Sequence, residues 1–177
     1  MIKMFKFSDF AETKEEAIQF FLHWAHDFMK ASDFLNQNTL LLDESAYLCH
    51  RAFELVFKAI LLSQNDEYDA VHDLTKLHGA LQEKIISDAD ISFLKIIDRF
   101  YFLRYPLEVL EKSEILEYND LTYAPGEIGA DDLEKANKLF FSLWNELQRK
   151  AEFKNIIEHI QKNPYPKGKR VLMEKPR

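Results

Sequence analysis

"LLDESAYLCHRAFELVFKAILL", residues 41–62, is the stretch on which the fold depends. Leu41, Ser45, Leu48, Ala52, Leu55, Ala59 and Leu62 recur at alternating steps of four and three. That spacing stacks side chains along one face of an α-helix. Ala46, Cys49, Phe53, Val56 and Ile60 form a second stripe beside the first. Two adjacent apolar stripes require burial on two sides, so the stretch predicts the central helix of a bundle. Its remaining polar edge carries Tyr47, His50, Arg51, Glu54 and Lys58.

On the N-terminal side, Thr13 and Glu16 have the spacing of a capping box, in which each side chain serves a backbone N–H of the other residue. Ala17, Phe21, Trp24, Phe28, Ala31 and Leu35 then predict a first helix with one apolar face, leaving at "NQN", 36–38. On the C-terminal side, "SQNDEYD", 63–69, breaks the pattern. A third helix is expected from about Asp73 to Ile86, with Leu74, Leu77, Leu81 and Ile85 inward. Asp90 is the expected N-cap of a fourth helix. Its stripes are Phe93, Ile96, Phe100 and Leu103, then Leu94, Ile97, Tyr101 and Arg104. Pro106 disfavours helical geometry at Tyr105 and should stop it near Arg104. Residues 107–130 are less regular, and "YNDLTYAPGEIGADD" reads as a loop. Asp131 and Glu134 resemble a capping pair for a last long helix lined by Leu133, Ala136, Phe140, Leu143 and Leu147. Pro164 and Pro166 end any helix. The expected organisation is therefore one up-and-down antiparallel bundle of four or five helices over residues 1–163, followed by a basic tail, 164–177.

Composition agrees with this class. The chain of 177 residues is 47% hydrophobic and 30% charged, with four glycines and five prolines, too few for the many tight turns of a β-rich fold. A net charge of −7 argues against broad electrostatic binding of nucleic acid, though a local basic patch is compatible with it. The single cysteine, Cys49, fits a reducing compartment, and "MIKMFKFSDFAET" lacks the apolar segment of a signal peptide. A cytoplasmic location is expected, with no membrane span.

The sequence resembles the HEPN domain family. In residues 46–81, "AYLCHRAFELVFKAILLSQNDEYDAVHDLTKLHGAL", the residues Ala52, Glu54, Lys58, Ala59, His72, Asp73 and Leu74 stand at positions that look like that family's core pattern. "RFYFLRYP", 99–106, is similar to the end of its fourth helix, and "DDLEKANKLFFSLWNEL", 131–147, to its closing helix. The likeness covers roughly residues 14–150. It implies a helical bundle, commonly a homodimer. One branch of the family acts beside a minimal nucleotidyltransferase partner protein, in some cases in a toxin–antitoxin-like context. Another branch comprises metal-independent ribonucleases, marked by an arginine followed after four to six residues by a histidine. No arginine of this chain has a histidine in that window; Arg149 and His159 are the nearest pair in the right order. The resemblance thus implies a non-catalytic accessory module that binds a nucleotide, RNA or a partner protein, with no cofactor. A ribonuclease using His72 or His50 with Arg104 or Arg51 is the alternative.

The candidate ligand-binding residues are Arg51, Glu54, Lys58, His72, Lys76, Arg104 and Tyr105. In "AVHDLTKLH", 70–78, Asp73 or Asp69 is expected to cap the third helix and His72 to bond nearby backbone. The competing reading, in which helix N–H groups, His72 and Lys76 hold a phosphate, is opposed by the charge of Asp73. Arg104 falls on an apolar stripe and needs an anionic partner, for which Glu54 is a candidate. A site is therefore expected between the second and fourth helices. His23 and His26 lack the further ligands of a zinc site and read as part of a solvated face, and no metal is expected. Cys49 reads as a small core residue.

Overall fold

The computed structural model describes residues 4–9, 11–65, 67–102, 116–118, 121–123 and 128–162. In chain order it comprises β1 (Met4–Lys6), a 3-10 turn (Phe7–Asp9), α1 (Lys14–Asn38), α2 (Leu42–Gln64), β2 (Glu67–Asp69), α3 (Leu74–Gly79) and α4 (Asp88–Phe102). These are followed by β3 (Leu116–Tyr118), β4 (Leu121–Tyr123), α5 (Ala130–Arg149) and α6 (Ala151–Lys162). The architecture is an all-α bundle carrying two short antiparallel ribbons, β1–β2 and β3–β4.

α2 is the centre. It packs against α1, α3, α4 and α5, and every residue from Ala52 to Leu62 is buried. The α1–α2 pair is fastened deep in the core by reciprocal bonds. Ser32 Oγ donates to the Ser45 carbonyl at 2.8 Å, and Ser45 Oγ donates to the Ser32 carbonyl at 2.8 Å. Small side chains at this crossing let the two backbones approach. Phe53, Phe57, Phe93, Phe100 and Phe140 fill the interior around them.

The capping box at Thr13 and Glu16 forms as its spacing predicts, and α1 leaves at Asn38. The buried face of α1, however, is turned from the expected one. Ile18, Leu22, Ala25, Met29 and Ser32 join Ala17 and Phe21 in the core. Trp24 is 39% exposed, Ala31 is exposed, and Phe28 and Leu35 are half-buried. α1 carries two apolar rows, and α2 lies on the one with the small residues, where the backbones can come close.

Other corrections are local. α3 stops at Gly79 instead of running to Ile86. Glycine costs about 1 kcal/mol in a helix interior relative to alanine, and the following turn is held where the Gln82 N–H donates to Gln64 Oε1. Leaving the helix there lets Leu81 and Ile86 both turn inward. The α4 cap is Ser87, whose Oγ accepts from the Asp90 N–H and donates to Asp90 Oδ2, so Asp90 lies one turn inside the helix start. At α5 the Gly129 N–H donates to Asp132 Oδ2, while Glu134, expected to pair with Asp131 in capping, bonds Lys138 instead.

The last helix is also two helices. Lys150 adopts an extended backbone, its N–H donating to the Leu147 carbonyl while its own carbonyl accepts from Phe153 and Lys154. One residue therefore closes α5 and opens α6. The ribbons occupy stretches that read as polar breaks: β2 lies within 63–69, and β3–β4 within the irregular 107–130. Leu103, Arg104, Tyr105, Pro106, Pro164 and the basic 164–177 lie outside the described residues.

Candidate functional site

Glu54 sits on the polar edge of α2 with no exposed surface. Helical spacing places Arg51 one turn before it and Lys58 one turn after it. Both reach its carboxylate, Arg51 Nη1 at 2.5 Å from Oε2 and Lys58 Nζ at 2.5 Å from Oε1. The third partner comes from the segment between β2 and α3: His72 Nδ1 lies 3.0 Å from Oε1. Burial by itself pushes the Glu54 carboxyl up. The His72 hydrogen bond and the Lys58 and Arg51 charges outweigh it and hold the group down at about 2. The carboxylate is therefore ionised. Burial lowers the Lys58 pKa and the Arg51 charge adds to that, while the charge and hydrogen bond of Glu54 oppose it. Beyond Lys58, the Tyr68 ring lies 5.4 Å from its Nζ and links the cluster to the β1–β2 ribbon.

A second arm crosses to α4. His50 Nε2 lies 3.0 Å from the His72 carbonyl and 3.1 Å from Asp98 Oδ1. The same Asp98 oxygen accepts from the Leu74 N–H at 2.8 Å. Burial raises the Asp98 carboxyl, opposed by the His50 bond and charge. The His72–Leu74 segment is thus stapled from both sides, by His50 and Glu54 of α2 and by Asp98 of α4.

Of the expected residues, Arg51, Glu54, Lys58 and His72 converge. His72 bonds the Glu54 carboxylate, where a backbone partner was expected. Lys76 lies outside the cluster, with its side chain 72% exposed and 3.5 Å from Asp73. Asp73 is the α3 cap, accepting from the Lys76 N–H at 2.8 Å and from Thr75 Oγ1. Arg104 and Tyr105, and with them any Arg104–Glu54 pair, lie outside the described residues. Asp98 was not singled out by the sequence; it stands between Ile97 and Arg99 on α4, and only the tertiary fold reveals its partners.

His23 and His26 are not on a solvated face. His23 is buried, and His26 lies over Trp144 with ring centroids 5.2 Å apart. Cys49 is wholly buried, and burial raises its thiol pKa. Among the described residues, no group of three or more His, Cys, Asp or Glu side chains is placed to hold a metal ion. No described helix is long and apolar enough to cross a membrane.

Arg51 and His72 are the members of the cluster that reach solvent, with side chains 25% and 42% exposed, while Glu54 and Lys58 lie beneath. The arrangement can hold charge and orient a surface. It defines a helical bundle whose central helix carries a buried ion cluster facing the α2–α3 connection. The HEPN domain model matches residues 18–122, more than half of the chain, and the chain belongs to the HEPN family. No curated protein and no solved structure matches it.

Proposed function

We propose that the chain is a non-catalytic HEPN module that binds a nucleotide or RNA phosphate at the Arg51–His72 edge and serves as accessory to a partner protein such as a minimal nucleotidyltransferase. One observation supports this most directly: Arg51, Lys58 and His72 all bear on the single carboxylate of Glu54. A ribonuclease needs its imidazole and guanidinium available to a 2′-hydroxyl and a phosphate. Here a buried, ionised carboxylate engages both groups from below. Arg51, whose charge is permanent, is the cation of the cluster that reaches the surface, and its guanidinium is suited to a phosphate.

Ribonuclease activity is the second reading. It is favoured by the meeting of Arg51 and His72 on one carboxylate from separate parts of the chain, which supplies in space a pair that the sequence does not supply in series.

Two assays on the purified protein separate these readings. In a thermal-shift panel of nucleotides and short RNA, a ligand at 100 times its Kd stabilises by about 2.7 kcal/mol. In a chain of this size that raises Tm by roughly 5–10 °C, and Arg51→Ala should abolish the rise. Labelled RNA in chelator should stay intact. Cleavage that persists in chelator and disappears in both Arg51→Ala and His72→Ala would establish the ribonuclease instead.

A further inference from the structure

Beside its buried face α1 carries an aromatic ladder, with exposed Trp24 between half-buried Phe20 and Phe28, which pack against the margin of the core. Phe20 and Trp24 have ring centroids 5.4 Å apart, and Trp24 and Phe28 5.5 Å apart. The ladder is continued by exposed Ala31 and by Phe34, which is 62% exposed, and reaches Leu40 and Leu41 at the turn into α2, 95% and 48% exposed. Along α1 and the turn into α2 the charge is one-sided. From residue 14 to residue 44 there are six carboxylates (Glu15, Glu16, Asp27, Asp33, Asp43 and Glu44) against two lysines.

The segment after α6 has the complementary chemistry. Residues 163–177 carry five basic side chains and one acidic one, with the apolar run Val171, Leu172 and Met173 among them. α6 packs on α1, and His159, less than one turn before the end of α6, is close enough to His23 for their charges to interact; His23 directly precedes Trp24. An extended run of fifteen residues spans about 50 Å, and α1 is about 37 Å long, so the whole ladder is in reach.

We propose that the α1 ladder is the docking surface for this chain's own basic segment, residues 163–177. Val171, Leu172 and Met173 cover the aromatic rings, and Lys167, Lys169 and Arg170 face the carboxylates along their margin. This surface is separate from the Glu54 cluster, and the proposal stands or falls independently of the function proposed above.

Hydroxyl-radical footprinting of the full chain, read residue by residue by mass spectrometry, tests it. In low salt, Trp24 and Phe34 should be oxidised at least threefold more slowly in the unaltered protein than in the Lys167→Glu/Lys169→Glu/Arg170→Glu variant. Added salt should raise the unaltered protein to the variant's rate, because attraction between exposed charges is screened. Matching circular dichroism spectra of the two proteins confirm an unchanged fold. Equal rates in the two proteins overturn the proposal. So does protection that survives charge reversal and grows with protein concentration, which would assign the ladder to a second copy.

Discussion

A carboxylate with no exposed surface must find its compensation inside the protein, and Glu54 finds it in Arg51, Lys58 and His72. Removing one partner from such a buried group leaves the others uncompensated, which costs about 3–5 kcal/mol. Glu54→Gln should therefore shift the urea midpoint strongly downward, whereas Glu54→Leu/Lys58→Met, which removes both buried charges, should recover much of the loss. Acid should act in the same direction as Glu54→Gln. The Glu54 pKa falls from 4.5 in the unfolded chain to about 2 in the fold. Its contribution of about 3 kcal/mol is present above pH 4.5 and is lost as pH falls towards 2. A Glu54→Gln protein should lack this acid-dependent component, which pH-resolved urea titrations would detect. Part of this cluster was legible: Arg51, Glu54 and Lys58 stand at helical spacings on one edge of α2. His72 entered only through the family pattern, and Asp98 not at all, because its partners are set by how α4 crosses α2.

Elements meet on faces, and the face of α1 decides what its histidines do. His23 and His26 lie where α1 meets α5 and α6. Burial lowers the pKa of both below 6.5. At His23, Asp27 partly opposes burial and His159 adds to it; at His26, Lys30 and His23 add to burial and Asp27 opposes. A histidine with a depressed folded pKa binds its proton more readily in the unfolded state, so its stabilising effect is complete above pH 6.5 and shrinks as pH falls through that value. The seam around α6 should loosen first. Amide exchange across residues 151–162, corrected for its intrinsic pH dependence, should accelerate between pH 7 and 5.5. His23→Gln/His26→Gln should flatten that response. Exchange in α6 that follows global unfolding at every pH would refute the local seam. The sequence showed where α1 and α3 begin because their caps, Thr13 and Asp73, are local signals. It did not show the turned face of α1, since two apolar rows compete there and only the packing partner chooses. The β1–β2 ribbon had no local signal, because Phe5 and Tyr68 are paired across more than sixty residues of chain. The β3–β4 ribbon lies in a stretch that reads as a loop, because strands of three residues are too short to show an alternating pattern.

For the molecule as a whole, the order in which parts open follows from what each part buries. α2 is enclosed by four other helices, and its Ala52–Leu62 run is wholly buried, whereas α6 buries one stripe of Phe153, Ile156, Ile157 and Ile160. Amides whose opening requires loss of the core exchange only through global unfolding, and those on single-faced elements open at lower cost. Amides of residues 52–62 should thus share one free energy of exchange, equal to that from urea unfolding, with α6 and the β1–β2 ribbon well below it. The prediction also discriminates between two roles for the buried ions. If Arg51, Lys58 and Glu54 merely fill space, Glu54→Leu/Lys58→Met should keep residues 70–74 as protected as before. If they hold the α2–α3 connection in register, as the bonds of His72 to Glu54 and of Leu74 to Asp98 require, protection at 70–74 should fall while that of 52–62 tracks overall stability. Protection at 70–74 unchanged in the double variant would show that the His50–Asp98 arm alone fixes the segment.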